Sequence, residues 1–126
     1  MHIEFRDGLL FTTIKISYKG RVKQIDNIVI DTGASHSLLT QDCVDEIGIR
    51  ISGEDEIVTS HGIGGKEYSF VKKVDKVEVG EYSINDCSVD FTSNIYEDVN
   101  GLLGLDILLG AGFIINLKKL DMYLQS

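Results

Sequence analysis

The chain has 126 residues, 43% of them apolar and 25% charged, with a formal net charge of −8. That length suits a single domain over 1–126 with a core of its own, and no apolar run approaches the roughly 20 residues of a membrane-spanning helix. The acidic balance speaks against a nucleic-acid partner, whose phosphates need concentrated Lys and Arg.

His2 to Phe5 reads as a short terminal strand closed by Asp7-Gly8, a strong two-residue turn signal. Leu9 to Tyr18 alternates through its second half, Thr12, Ile14, Ile16 and Tyr18 against Thr13, Lys15 and Ser17, as a half-buried strand does. Lys19-Gly20 returns the chain into Arg21 to Ile30, which begins polar and ends apolar, so it runs into the core as it nears Asp31. Thr40 is placed to cap a short helix, Gln41 to Ile47, with Gly48 as its stop. Ile57 to Ser60 and Lys66 to Val74 flank His61-Gly62-Ile63-Gly64-Gly65, a hairpin whose glycine-rich tip is free to adopt positive φ. Val77 to Val79, a Gly80-Glu81 turn and Tyr82 to Phe91 continue the β pattern, with Ile84, Val89 and Phe91 facing inward. A polar loop, Thr92 to Asn100, precedes Gly101-Leu102-Leu103-Gly104 and a brief helix, Ile107 to Ala111, begun by Asp106 and ended by Gly112. Phe113 to Leu117 and Met122 to Gln125 read as closing strands. The chain is therefore mainly β, a closed barrel-like sheet with one or two short helices.

Three stretches carry chemistry. Ile28-Val29-Ile30 delivers Asp31 into a turn of small residues, Thr32-Gly33-Ala34-Ser35. A carboxylate ending a buried strand has a plain reading as a loop or helix cap. In this setting it also stands where a reacting group would. Gly62-Ile63-Gly64-Gly65 and Leu102-Leu103-Gly104-Leu105-Asp106-Ile107-Leu108 follow in order. A phosphate loop at Gly64-Gly65-Lys66 fails on spacing, because Ser60 stands at the first glycine position and Glu67 follows the lysine.

Together these motifs resemble the retropepsin-like (retroviral-type) aspartic proteases: the active-site turn, the glycine-rich flap tip, and the paired-hydrophobic segment leading into a C-terminal helix. The resemblance runs from about Leu9 to Leu120 and implies the acid protease fold, a single lobe completed by dimerisation. It implies that Asp31, Thr32 and Gly33 form the catalytic turn. Asp31 would supply half of a carboxylate pair, Thr32 would brace two turns against each other, and Gly33 would let the substrate approach. Ala34, Gly62, Ile63, Gly64 and Gly65 would contact the peptide. Peptide hydrolysis by carboxylates needs one ionised group to take a proton from water and one protonated group to polarise the carbonyl. Close carboxyls cannot both ionise, behaviour for which aspartic proteases are the type example. Asp-Thr-Gly occurs once here, so the second aspartate must come from a second copy across a two-fold axis. Asp106 has a structural task instead, bonding backbone N–H groups at the start of its helix.

Departures from the retroviral pattern stand at Ser35 and His36, where acidic residues usually grip the substrate, and at Leu105, where an arginine usually precedes the Asp/Asn. The terminal segments His2–Phe5 and Met122–Gln125 are expected to meet in an intersubunit sheet. The expected activity is that of a homodimeric aspartic endopeptidase on a peptide or protein substrate, without metal or cofactor and without nucleic-acid or membrane partners. The alternatives are a catalytically inactive dimerisation or peptide-binding module of the same fold and, more weakly, nucleotide binding at the glycine loop. Met1 to Arg6 lacks the apolar stretch of a signal peptide. With it, Cys43 and Cys87 read as packed, reduced thiols of a cytoplasmic protein.

Overall fold

The computed structural model describes residues 1–62 and 65–125, with the side chains of 60–66 outside the description. Ten strands are present among the described residues: β1 (Glu4–Arg6), β2 (Leu9–Tyr18), β3 (Arg21–Ile30), β4 (Leu38–Thr40), β5 (Glu56–Gly62), β6 (Gly65–Val79), β7 (Tyr82–Thr92), β8 (Gly101–Leu103), β9 (Phe113–Asn116) and β10 (Asp121–Leu124). A 3-10 helix covers Gln41–Ile47, and α1 covers Leu105–Ala111.

The hairpin turns form where the sequence places them. Asp7-Gly8 and Lys19-Gly20 take positive φ at both positions, +52° and +78°, then +49° and +83°, the geometry whose twist matches paired strands. β2 and β3 have the expected bounds and pair antiparallel, with one irregularity between Thr12 and Ile14. Thr40 precedes the 3-10 helix in extended conformation, but its side chain makes no cap bond, whereas Gly48 ends the helix at φ +87°.

The first eight strands form one mixed sheet ordered β1-β2-β3-β8-β4-β7-β6-β5, and β2 also pairs with β6. The ladder β2-β3-β8-β4-β7-β6 thus returns to β2 as a closed circuit of strands. Its interior is filled by Ile14, Ile16, Ile25, Ile28, Leu39, Val74, Val77, Phe91 and Leu103, each under 5% exposed, and each such burial is worth roughly 1.5–3 kcal/mol. Of the three β7 residues expected to face inward, Val89 and Phe91 are buried and Ile84 packs half-buried against the core.

The termini differ from expectation. The Met1 amino group donates to the Met122 carbonyl at 2.7 Å. Ile3 N–H donates to Leu120 O at 3.0 Å, and Met122 N–H to Met1 O at 2.8 Å. The two ends therefore pair within one chain, with β9 on the other side of β10. Ile3 and Met122, both fully buried, tie this pairing to the core.

Candidate active site

β3 ends at Ile30, and Asp31 continues its parallel pairing with β8 by donating its N–H to Leu103 O at 2.9 Å. The chain then turns back, with Ala34 N–H on Asp31 O at 3.2 Å and Gly33 N–H on Asp31 Oδ1 at 2.9 Å. A Cβ on Gly33 would lie 3.2 Å from that same oxygen, so any larger residue crowds the carboxylate. Asp31 is half-buried, Thr32 and Gly33 are exposed, and Ala34 is half-buried.

Behind the turn, the β8–α1 junction holds it against the barrel. Leu105 N–H donates to Ala34 O at 2.8 Å, and Asp106 N–H to Ser35 O at 3.2 Å. This approach requires glycine at 104, because a Cβ there would stand 2.8 Å from the carbonyl oxygens of both Ala34 and His36. One step earlier, a Cβ on Gly101 would stand 2.4 Å from Leu38 O. The Asp106 carboxylate accepts the Ser37 N–H at 3.0 Å, the Ser37 hydroxyl at 2.7 Å and the Ile107 N–H at 2.9 Å. Ser37 Oγ in turn accepts the Gly104 N–H at 2.9 Å.

Ser37 is the residue that sequence reasoning missed. It is a small polar residue in an irregular stretch, and its partner lies 69 positions away, so no local pattern marks it. With Leu105 in place of an arginine, the brace behind the turn consists of hydrogen bonds to Asp106. Ser35 Oγ and His36 Nδ1 stand 3.1 Å apart on the exposed side. On the neighbouring β7, burial pushes the Asp90 carboxyl up; the positive influence of His36 opposes this, and the Asp106 and Glu56 charges add to it.

In front of the turn lies a cleft of about 280 Å³. Its walls are apolar, including Leu9, Val29, Leu102 and Val99, and its charged lining residues are Asp31 and Glu67. Glu67 sits on β6, near the strand's start at Gly65. Its Oε1 accepts the Tyr96 hydroxyl and, at 3.3 Å, the Asn94 side-chain amide. Burial first, and the bond to Glu67 second, push the Tyr96 hydroxyl up, so it stays a donor at neutral pH.

The family model described as "gag-polyprotein putative aspartyl protease" matches residues 19–109, from the β2–β3 turn into α1. The chain belongs to this aspartyl protease family. Its fold is that of the retropepsin-like enzymes: the crystal structure of a retropepsin-like aspartic protease from Rickettsia conorii superimposes with a TM-score of 0.65. That match covers 96% of this chain and 84% of the other at 17% identity. In this aspartyl protease chain the Asp31 turn and Glu67 of β6 line one cleft. The Gly62 and Gly65 backbones pair at the end of the β5–β6 ladder, where the sequence places the flap tip. Ile63 and Gly64 lie outside the described residues, as does the His61 side chain.

The chemistry available to one aspartyl protease chain is limited by where its acids point. Asp106 is engaged by Ser37 and Ile107 and serves the turn from behind. Glu67 is engaged by Tyr96 and Asn94. A single chain thus presents Asp31 to the cleft, with the exposed edge of its turn, Thr32 and Gly33, uncovered by described residues.

Proposed function

We propose that the protein is a homodimeric aspartic endopeptidase in which two symmetry-related Asp31 carboxylates share one proton and activate a water between them. The observation that carries this reading is the asymmetry of the turn: behind, it is tied to Leu103, Leu105 and Asp106 by hydrogen bonds within the chain, and its front edge at Thr32 and Gly33 is exposed. A second copy placed on a two-fold axis at Thr32 and Gly33 would bring the counterpart carboxylate alongside. One Asp31 would take the water's proton while the protonated partner polarises the scissile carbonyl. The flap hairpin around Gly62–Gly65 would close over an extended peptide and exclude water.

Pairing of the termini within one chain means that this dimer would not depend on the terminal strands alone, and the turn itself would supply the central contact. The free, half-buried thiols of Cys43 and Cys87, both pushed up by burial, suit a reducing compartment such as the cytoplasm.

The test is Asp31→Asn, which is nearly isosteric and keeps an oxygen for the Gly33 N–H. Cleavage of a denatured-protein substrate should fall at least about 10³-fold, on the scale of losing both nucleophile activation and acid catalysis, with the fold retained by circular dichroism. Undiminished cleavage by Asp31→Asn would refute the mechanism. A folded protein that binds peptides but cleaves none between pH 3 and about 7 would identify a peptide-holding module instead.

A further inference from the structure

We propose that Glu67 makes the cleft beside Asp31 a subsite for a lysine or arginine side chain of the substrate. The apolar walls would take the hydrocarbon stem and Glu67 the cation. This inference rests on the endopeptidase reading of the same cleft.

Two features of the cleft bear on what it would hold. At about 280 Å³ it is at the small end of ligand pockets, suited to one side chain rather than a whole ligand. Its walls are Leu9, Val29, Leu102 and Val99, yet a carboxylate stands on its lining. A solvated leucine or phenylalanine subsite gains nothing from a carboxylate, because apolar occupancy strips water from the charge without replacing it. A long cationic side chain satisfies both features, laying its methylenes on the walls and bringing its charge to the acid.

Glu67 is also held in place for this role. Tyr96 and Asn94 both donate to Oε1, which fixes the carboxylate and leaves Oε2 without a partner among the described side chains. A bond between a cation and this half-used carboxylate is charge-assisted, worth more than a neutral one. The net charge of −8 adds a weak, salt-screened attraction for basic peptides. In a symmetric dimer the subsite would occur on both sides of the scissile bond.

The experiment uses peptide pairs that differ only in lysine against norleucine, its uncharged isostere, at each residue flanking the cleaved bond. The full-length wild-type protein should cleave the lysine member with kcat/KM on the order of 10-fold higher at one flanking position, and Glu67→Gln should bring the ratio near one. Binding of the same pairs to Asp31→Asn, read by calorimetry, should show the same preference and the same loss on adding Glu67→Gln. Equal cleavage of both peptides by the wild type overturns the subsite. So does a lysine preference that survives Glu67→Gln, or a Glu67→Gln protein inert towards every peptide, which would make Glu67 part of the catalytic pair. If the wild type cleaves nothing, the endopeptidase reading fails, and the binding preference still decides the subsite. If Glu67→Gln misfolds, the wild-type ratio at low and high salt decides, a preference insensitive to charge screening counting against it.

Discussion

The back and the front of the Asp31 turn are built in opposite ways. Behind it, residues 31–37 are held by Leu103, Gly104, Leu105 and Asp106 through backbone and side-chain hydrogen bonds, and the glycines at 101 and 104 allow contact too close for any Cβ. In front, Thr32 and Gly33 are exposed, and the cleft has an apolar lining with few fixed partners. A preorganised carboxylate needs the first arrangement, because catalytic groups must be held by residues that are themselves locked. On the endopeptidase reading it needs the second because a substrate and a second copy would have to reach it.

This contrast predicts that changes behind the turn act on folding and activity together. Gly104→Ala is severe, since the new Cβ would meet carbonyl oxygens of Ala34 and His36 at 2.8 Å and both are backbone atoms that cannot rotate away. Loss of about 3 kcal/mol or more in denaturant unfolding is expected, with activity falling at least as far. Retention of wild-type stability would show that the junction is looser than its geometry.

Ser37→Ala is the next largest. It removes a hydroxyl that both donates to Asp106 and accepts from the buried Gly104 N–H, leaving that N–H unsatisfied, at a cost of about 2 kcal/mol. Ser37→Thr, which keeps the hydroxyl, should recover part of the loss. Equal damage from both would point to steric rather than hydrogen-bonding effects.

The β5–β6 hairpin offers a smaller, pH-dependent effect. Near its open end, Lys72 Nζ stands 2.8 Å from Asp55 Oδ2. The Lys72 ammonium first, and the Ser52 N–H next, hold the Asp55 carboxyl below its ordinary value. A carboxyl lowered in the folded state contributes stability above its unfolded pKa, near 3.9, and loses it as pH falls through the lower folded value. Lys72→Met should therefore lower Tm at pH 7 and lose that difference as pH falls through the lowered folded value of Asp55. A difference that is constant with pH would mean that Lys72 acts through packing alone.

Much of this was legible in the sequence, and the parts that were not share one cause. β2, β3, their turns and α1 follow from local alternation and glycine stops. β4 and β8 are three residues long, and β4 exists because it pairs with β7 on one side and β8 on the other, which no local period encodes. The circuit-closing pairing of β2 with β6 is equally non-local. Asp31, Asp106 and the glycines could be picked out from residue type, but that Ser37 completes the brace depended on where two distant segments meet. The termini were assigned to a partner because unpaired edges need cover; the chain covers them itself through Met1, Ile3 and Met122. The 3-10 helix formed without the expected Thr40 side-chain cap because Thr40 is drawn into β4 and buried.

The central claim is that one Asp31 is half of a catalytic pair. It is tested most directly by mixing wild-type protein with Asp31→Asn under conditions of subunit exchange and measuring peptide cleavage at fixed total concentration. If both carboxylates are needed, activity follows the square of the wild-type fraction, about a quarter remaining at equal mixing. Activity that falls only in proportion to the wild-type fraction, to about one half in the same mixture, would contradict the account by showing that each chain cleaves with its own acids.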